Sequence, residues 1–175
     1  MLAHPHRMAR FSHWANQRMQ RACASLSAEA LAQDRQAFFG SILGTLNHIL
    51  LVDLLYQERL LGTSPSRFNG LDEILHPDLD SLAAEQSEID AFYIDYTADL
   101  DDDALAKPVG FTTLLAEAEY WEVPRSVYFS NLFQHQVHHR GQAHAMLSQS
   151  GLEPPPIGFI EFELERAEHI LRRPA

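Results

Sequence analysis

The chain has 175 residues, 46% of them apolar and 21% charged, which is enough for one globular domain with its own core and too apolar for disorder. Twenty-four acidic against 13 basic residues leave a formal charge of −11 with histidine neutral. A surface that acidic repels phosphate backbones and anionic lipid heads, so neither nucleic acid nor a membrane surface is an expected partner. The single cysteine, Cys23, excludes an intramolecular disulfide and a cysteine-rich zinc site.

In chain order, the N-terminal residues Met1 to Arg7 lack the apolar run of a signal peptide. No segment reaches the ~18 apolar residues of a membrane span, since the most apolar run, Ile49 to Leu55, is broken by Asp53. A cytoplasmic protein is expected. Met8, Phe11, Ala15, Met19, Ala22 and Leu26 recur at three- and four-residue steps, which predicts a first helix from Pro5 to Ser25 with Cys23 buried on it. The stretch from Ser25 to Ala28 breaks that helix, and an irregular connection through Asp34 is expected.

Ser41 directly after Gly40 is a good N-cap and predicts a second helix ending before Gly62. Its interior is apolar on nearly all sides, the signature of a helix in the middle of a bundle. A loop to Pro77 follows. A third helix is predicted from Leu79 to Ala98, with Leu82, Ile89, Phe92, Tyr93 and Tyr96 inward; Asp101 to Asp103 and Lys107-Pro108 close it. Weak alternation between Val109 and Val123 predicts two short strands. Pro124 suits the first turn of a long last helix running to Ser150, stopped by Gly151 and sealed by Pro154 to Pro156. A short outer helix is expected from Phe159 to Leu171. These elements predict an all-α four-helix bundle with a short extra C-terminal helix and a small two-stranded hairpin before the last long helix.

Ten histidines need an explanation, because four of them fall between His135 and His144. At ~100° per residue, His135 and His139 lie about 40° apart on one face of the last long helix, the spacing by which a helix offers two imidazoles to one metal. Tyr128, Asn131, Gln142 and Met146 share that stripe. His144 lies about 180° from His135 and cannot join, whereas His138, about 60° away, offers a rival pairing with His135. A third ligand should come from the buried second helix, where His48 sits among apolar neighbours; Gly44, one turn earlier, would clear space above its ring. Asp53 lies about 140° around the helix from His48 and is no partner for it. Arg140 and Gly141 read as a surface salt bridge and a point of close helix packing. Gln142 could orient a ligand or substrate, or bond its own helix. The remaining histidines are expected on the surface.

Ser41-Ile-Leu-Gly44-Thr-Leu-Asn-His48, followed by His135-x-x-x-His139-Arg140-Gly141-Gln142, resembles the DinB family of metalloenzyme-like proteins. Trp14-Ala15-Asn16 and the Gly151-Leu-x-Pro-Pro run support it, so the likeness spans a single domain over residues 1–175. The resemblance implies a four-helix bundle, commonly a homodimer, with a divalent metal (nickel, zinc or iron) held by His48, His135 and His139, and with His138 as a neighbour only. It departs at Thr112 to Glu117, where the family commonly has a turn glycine. Relatives of this kind imply a metal-dependent enzyme acting on a small-molecule substrate, either a transferase or isomerase using a low-molecular-weight thiol, or a hydrolase using metal-activated water. The alternatives are a non-catalytic metal- or small-ligand-binding bundle and a structural dimer with satisfied core histidines. No Ser-His-Asp or Cys-His pattern is present, and no carboxylate falls on either histidine face.

Overall fold

A computed structural model describes residues 4–63, 70–114 and 117–166. Its elements are α1 (Pro5–Cys23), α2 (Ala28–Ala32), α3 (Ile42–Leu60), α4 (Leu79–Thr97), α5 (Asp102–Ala106), β1 (Pro108–Thr112), β2 (Tyr120–Pro124), α6 (Arg125–Gln149) and α7 (Phe159–Arg166). The four long helices α1, α3, α4 and α6 form the expected bundle. Each of α1 and α3 packs against both α4 and α6.

Helix boundaries follow local chemistry. Ser41 accepts from the Gly44 amide at 3.0 Å and Asp78 from the Ser81 amide at 2.8 Å, each satisfying an amide that has no partner within the helix. Gly40 enters α3 at φ 70°, and Gly151 ends α6 at φ 79°, a conformation glycine adopts without steric cost. Two five-residue helices were not expected. Ser27 caps α2 inside the supposedly irregular connection, and Asp101 caps α5 where a simple stop was expected. The hairpin pairs Pro108 with Pro124 through Thr112 with Tyr120, antiparallel. Residues 115–116 of its connection lie outside the described residues, as does the end of the outer helix beyond Arg166.

All fourteen residues from Ile42 to Leu55 of α3 are buried. The core around it joins Met19, Ile49, Leu50, Leu82, Tyr93, Phe129 and Leu147, and Cys23 is buried there as expected. Burial pushes the Cys23 thiol up to about 12, so it is no nucleophile. A satellite cluster seats Phe162 of α7 against Phe11 and Ala15 of α1.

The polar residues inside the bundle set its register. Gln86 of α4 and Gln136 of α6 both donate to Asp53 Oδ2, at 2.9 and 2.8 Å, and Tyr93 donates to the Asp53 carbonyl at 2.6 Å. Gln86 also reaches Asp90 at 3.1 Å. Asn16 of α1 donates to Asp90 and accepts from Arg140 Nη1 at 2.9 Å. All four long helices therefore contribute to one buried polar layer. Arg140 is not the surface residue expected: it is 2% exposed, and its guanidinium is balanced by Asp90 and Asp53. Gly141 is exposed, with open space where a Cβ would stand, so it does not mediate close packing either.

Desolvation, reinforced by Asp90, raises the Asp53 carboxyl to about 7. Between its unfolded value near ~3.8 and 7 the folded state holds the extra proton, so Asp53's contribution to stability falls as pH rises through that window. Asp53→Asn should flatten this dependence. In urea unfolding, wild type should lose on the order of 2–4 kcal/mol relative to the variant from pH 4 to 7. Parallel stability curves would contradict the assignment.

Candidate metal centre

His48 of α3 and His135 and His139 of α6 come together at one level of the bundle. Each offers a nitrogen within 4.8 Å of the other two, and they form the one such group of histidine, cysteine or acidic side chains among the described residues. Ring centroids lie 4.9 Å apart for His48–His135, 4.5 Å for His48–His139 and 4.3 Å for His135–His139. The i,i+4 spacing on α6 supplies two rings, and the antiparallel α3 presents the third from the facing side.

Hydrogen bonds fix which nitrogens face inward. His48 Nδ1 bonds the Leu71 carbonyl at 2.7 Å; a carbonyl only accepts, so Nδ1 carries the proton and Nε2 keeps its lone pair. His139 Nδ1 bonds Gln142 Oε1 at 2.8 Å, which leaves His139 Nε2 unprotonated in the same way. Gln142 turns its amide nitrogen to His138 Nε2 at 3.2 Å. Thus Gln142 both bonds its own helix and orients a ring of the cluster. His138 is exposed and touches the cluster only as a neighbour of His139, with ring centroids 4.7 Å apart.

The cluster fits a divalent ion. His48 Nε2 and His135 Nε2 approach to 3.0 Å, and metal–nitrogen bonds of ~2.1 Å place two nitrogens of one ion about 3.0–3.4 Å apart. His135 Nδ1 is buried without a hydrogen-bond partner, so no local bond holds its proton on that side. Desolvation lowers His48 to about 4 and His135 to about 3, and His139 shifts down for the same reason. All three imidazoles are therefore neutral near pH 7, the form that ligates.

The surroundings hold the rings in place. Phe39 stacks on His48 with centroids 3.8 Å apart and meets His139 edge-on at 5.5 Å. Gly44 makes this possible in a different way from that expected: a Cβ there would overlap the Phe39 carbonyl oxygen, so the glycine admits the Phe39 backbone rather than open space. Asn47 pins the α3–α4 connection by donating to the His76 carbonyl and accepting from the His76 amide, at 3.0 and 2.9 Å. That fastening helps deliver the Leu71 carbonyl to His48.

Asp53 stays away from the cluster, as its angle required, and His144 instead bonds the Pro155 carbonyl at 3.0 Å. The expectation that the other histidines decorate the surface fails for several. His6 bonds the Ile94 carbonyl, His13 faces Asp90 and His76 pairs with Glu85 at 2.6 Å, all half-buried ties between segments. Phe39 was missed by sequence reading. Only the tight Gly40–Ser41 entry into α3 hinted that the preceding residue folds back over the helix.

Removing the Gln142 amide should free the His139 ring, and loss of a group that orients a ligand in this way costs ~10–100-fold in metal affinity. Gln142→Ala should show that loss in a zinc or nickel titration while its circular dichroism stays native. Gly44→Ala should lower stability by about 1–3 kcal/mol through overpacking against Phe39, read from the urea midpoint.

Comparison with known proteins agrees with this architecture. The family model described as the DinB family matches residues 1–168. No curated protein matches the chain. Among solved structures, a DinB-like protein from Bacillus cereus ATCC 10987 superposes with a TM-score of 0.58 at 18% identity, covering 82% of this chain and 90% of that one. At that identity the likeness shows a shared fold.

Proposed function

The chain belongs to the DinB family, and from that premise we propose that His48, His135 and His139 hold a divalent metal at the centre of a metal-dependent enzyme. The single observation carrying this reading is the convergence of imidazole nitrogens, two with their protons held on the far side by Leu71 and Gln142. Three protein ligands leave coordination positions for another molecule, as catalytic sites do and closed structural sites do not. When bound, the ion lowers the pKa of a water or thiol that it holds and so supplies a nucleophile near neutral pH.

The residues favour an anionic partner at that open side. Three neutral imidazoles bring no negative charge, so a divalent ion among them keeps both of its charges uncompensated by its ligands. A thiolate from a low-molecular-weight thiol or a hydroxide from water would answer that imbalance, so the site suits a thiol-dependent transferase or isomerase, or a hydrolase. Phe39 covers one face of the His48 ring and shields it from water. Phe38, 86% exposed and packed on Phe39 with centroids 4.8 Å apart, offers an apolar surface beside it to a substrate.

The test is metal content of untagged protein, followed by turnover. Wild type should carry about one equivalent of a divalent metal, and His48→Ala and His135→Ala should retain less than a tenth of that. The loaded protein should then consume a small thiol in the presence of an electrophile. Equal, negligible metal in wild type and variants would overturn the reading. Full metal without turnover of thiols or hydrolysable esters would move it to ion binding alone.

A further inference from the structure

A cavity of about 700 Å³ lies between the N-terminal end of α1, α5 and α6. That volume is within the range of small-molecule sites, ~300–1,000 Å³. On α6 its residues Ser126, Ser130, Phe133 and Val137 stand about 140–180° around the axis from His135, so most of it opens away from the histidine cluster, while one end reaches His138, the neighbour of His139. From Ser126 to Val137 it extends about 16 Å along α6.

Its floor is apolar, built from Met8 of α1, Leu105 of α5, and Phe129 and Phe133 of α6, with Val137 half open to solvent beside them. Its walls are fastened. His4 caps α1 through the His6 amide, and its other ring nitrogen bonds the Leu100 carbonyl at 2.8 Å, tying the start of α1 to the turn before α5. Two of the polar groups at its edge have donors already engaged. The Ser130 hydroxyl donates to the Ser126 carbonyl and the Gln134 amide to the Ser130 carbonyl, at 2.7 and 3.1 Å, so their donors are turned into their own helix. The Gln134 amide oxygen and the Asp102 carboxylate remain as acceptors beside the Ser126 hydroxyl and the His138 ring, and no lysine or arginine is among the described residues that line the cavity.

We propose that this cavity is a second ligand site, beside the histidine cluster but including none of His48, His135 and His139, that takes an amphipathic amine: an aromatic or aliphatic body on the Phe129–Phe133 floor, with an ammonium head at Asp102. Charge complementarity selects the head. A carboxylate in the same pose would face Asp102 on a chain of net charge −11, whereas an ammonium finds a carboxylate and an amide oxygen. The apolar floor selects the body, because a small hydrophilic amine would leave that surface in contact with water.

The probes are 4-phenylbutylamine, 4-phenylbutyrate and butylamine, titrated into the full chain by calorimetry and followed by amide NMR at pH 7.5. The phenyl amine should bind at least tenfold more tightly than either comparator, with shifts confined to α1, α5 and the outer side of α6. Asp102→Asn should reduce the preference for amine over carboxylate to under threefold. Ala106→Trp, which fills the cavity from an exposed position, and Val137→Lys, which places a cation beside it, should each weaken the amine at least tenfold while both proteins keep native spectra. His135→Ala should bind the amine as wild type does, whatever becomes of metal binding. No binding, equal or tighter binding of phenylbutyrate, a preference surviving Asp102→Asn, undiminished binding in both Ala106→Trp and Val137→Lys, or shifts centred on His48 and His135 would each overturn the proposal.

Discussion

The structure depends on one constraint: α3 is buried on every side and yet carries Thr45, Asn47, His48 and Asp53 inside it. A buried polar group without a partner costs roughly 1–3 kcal/mol, so each of these must find its bond within the bundle. Thr45 returns to the Ser41 carbonyl of its own first turn. Asn47 takes the connection to α4, His48 takes the Leu71 carbonyl and His135, and Asp53 takes Gln86 and Gln136. Further along, Tyr128 donates to the Tyr56 carbonyl at 3.3 Å. The pairs His48–His135 and Tyr56–Tyr128 run in opposite directions along the two helices, which makes α3 and α6 antiparallel. A slip of one turn between them would break the three bonds that join them, His48–His135, Asp53–Gln136 and Tyr56–Tyr128, at once, so polar pairing selects the register that apolar packing alone would leave loose.

Two polar layers result, and their electrostatics differ. The Asp53 layer brings two carboxylates and one guanidinium into the core, with amides of Asn16, Gln86 and Gln136 filling the remaining donor positions. Burial answers its excess negative charge by raising Asp53 toward neutrality and lowers Arg140 to about 10. The histidine layer has no carboxylate among its ring contacts, and burial keeps its members uncharged instead. A fixed cation thus lies in one layer and a place for a movable one in the other. The acidic surface raises the local concentration of cations around both.

The sequence made the bundle and the histidine cluster legible for the same reason: both are expressed in angles along single helices. The 3.6-residue period placed Met8, Phe11, Ala15 and Met19 inward on α1, brought His135 and His139 to one face, and separated His144 and Asp53 from it. What stayed hidden depends on partners far along the chain. Arg140 looks like any surface arginine until Asn16 and Asp90, 124 and 50 positions away, close around it. Gly141 looks like a contact point until the neighbouring helices turn out to lie on the other side. Gly44 was recognised as a place needing no side chain, but the atom occupying the space, the Phe39 carbonyl oxygen, comes from a loop whose path no periodicity describes. The five-residue helices α2 and α5 carry good N-caps, Ser27 and Asp101, yet are too short for any apolar stripe to appear.

The geometry of the histidine cluster is set from behind. On α6 each cluster residue is followed directly by a residue locked into the core: His135 by Gln136, bonded to Asp53, and His139 by Arg140, bonded to Asn16. The two buried residues share the i,i+4 spacing of the two histidines, so the anchors and the rings form parallel rows about 100° apart on one helix. Rotation of α6 by even a few tens of degrees would draw Gln136 and Arg140 out of the polar layer and expose the Asp53 and Asp90 carboxylates to an apolar core. The cost of that disruption, a buried charge losing its partner, is several kcal/mol, more than solvation of a neutral imidazole could return. The core network therefore aims His135 and His139 at His48 before any ligand arrives, and binding does not have to meet the cost of forming the site. Adjacency of HQ and HR along α6 is thus a mechanical coupling, in which the buried member of each pair holds the direction of the histidine beside it.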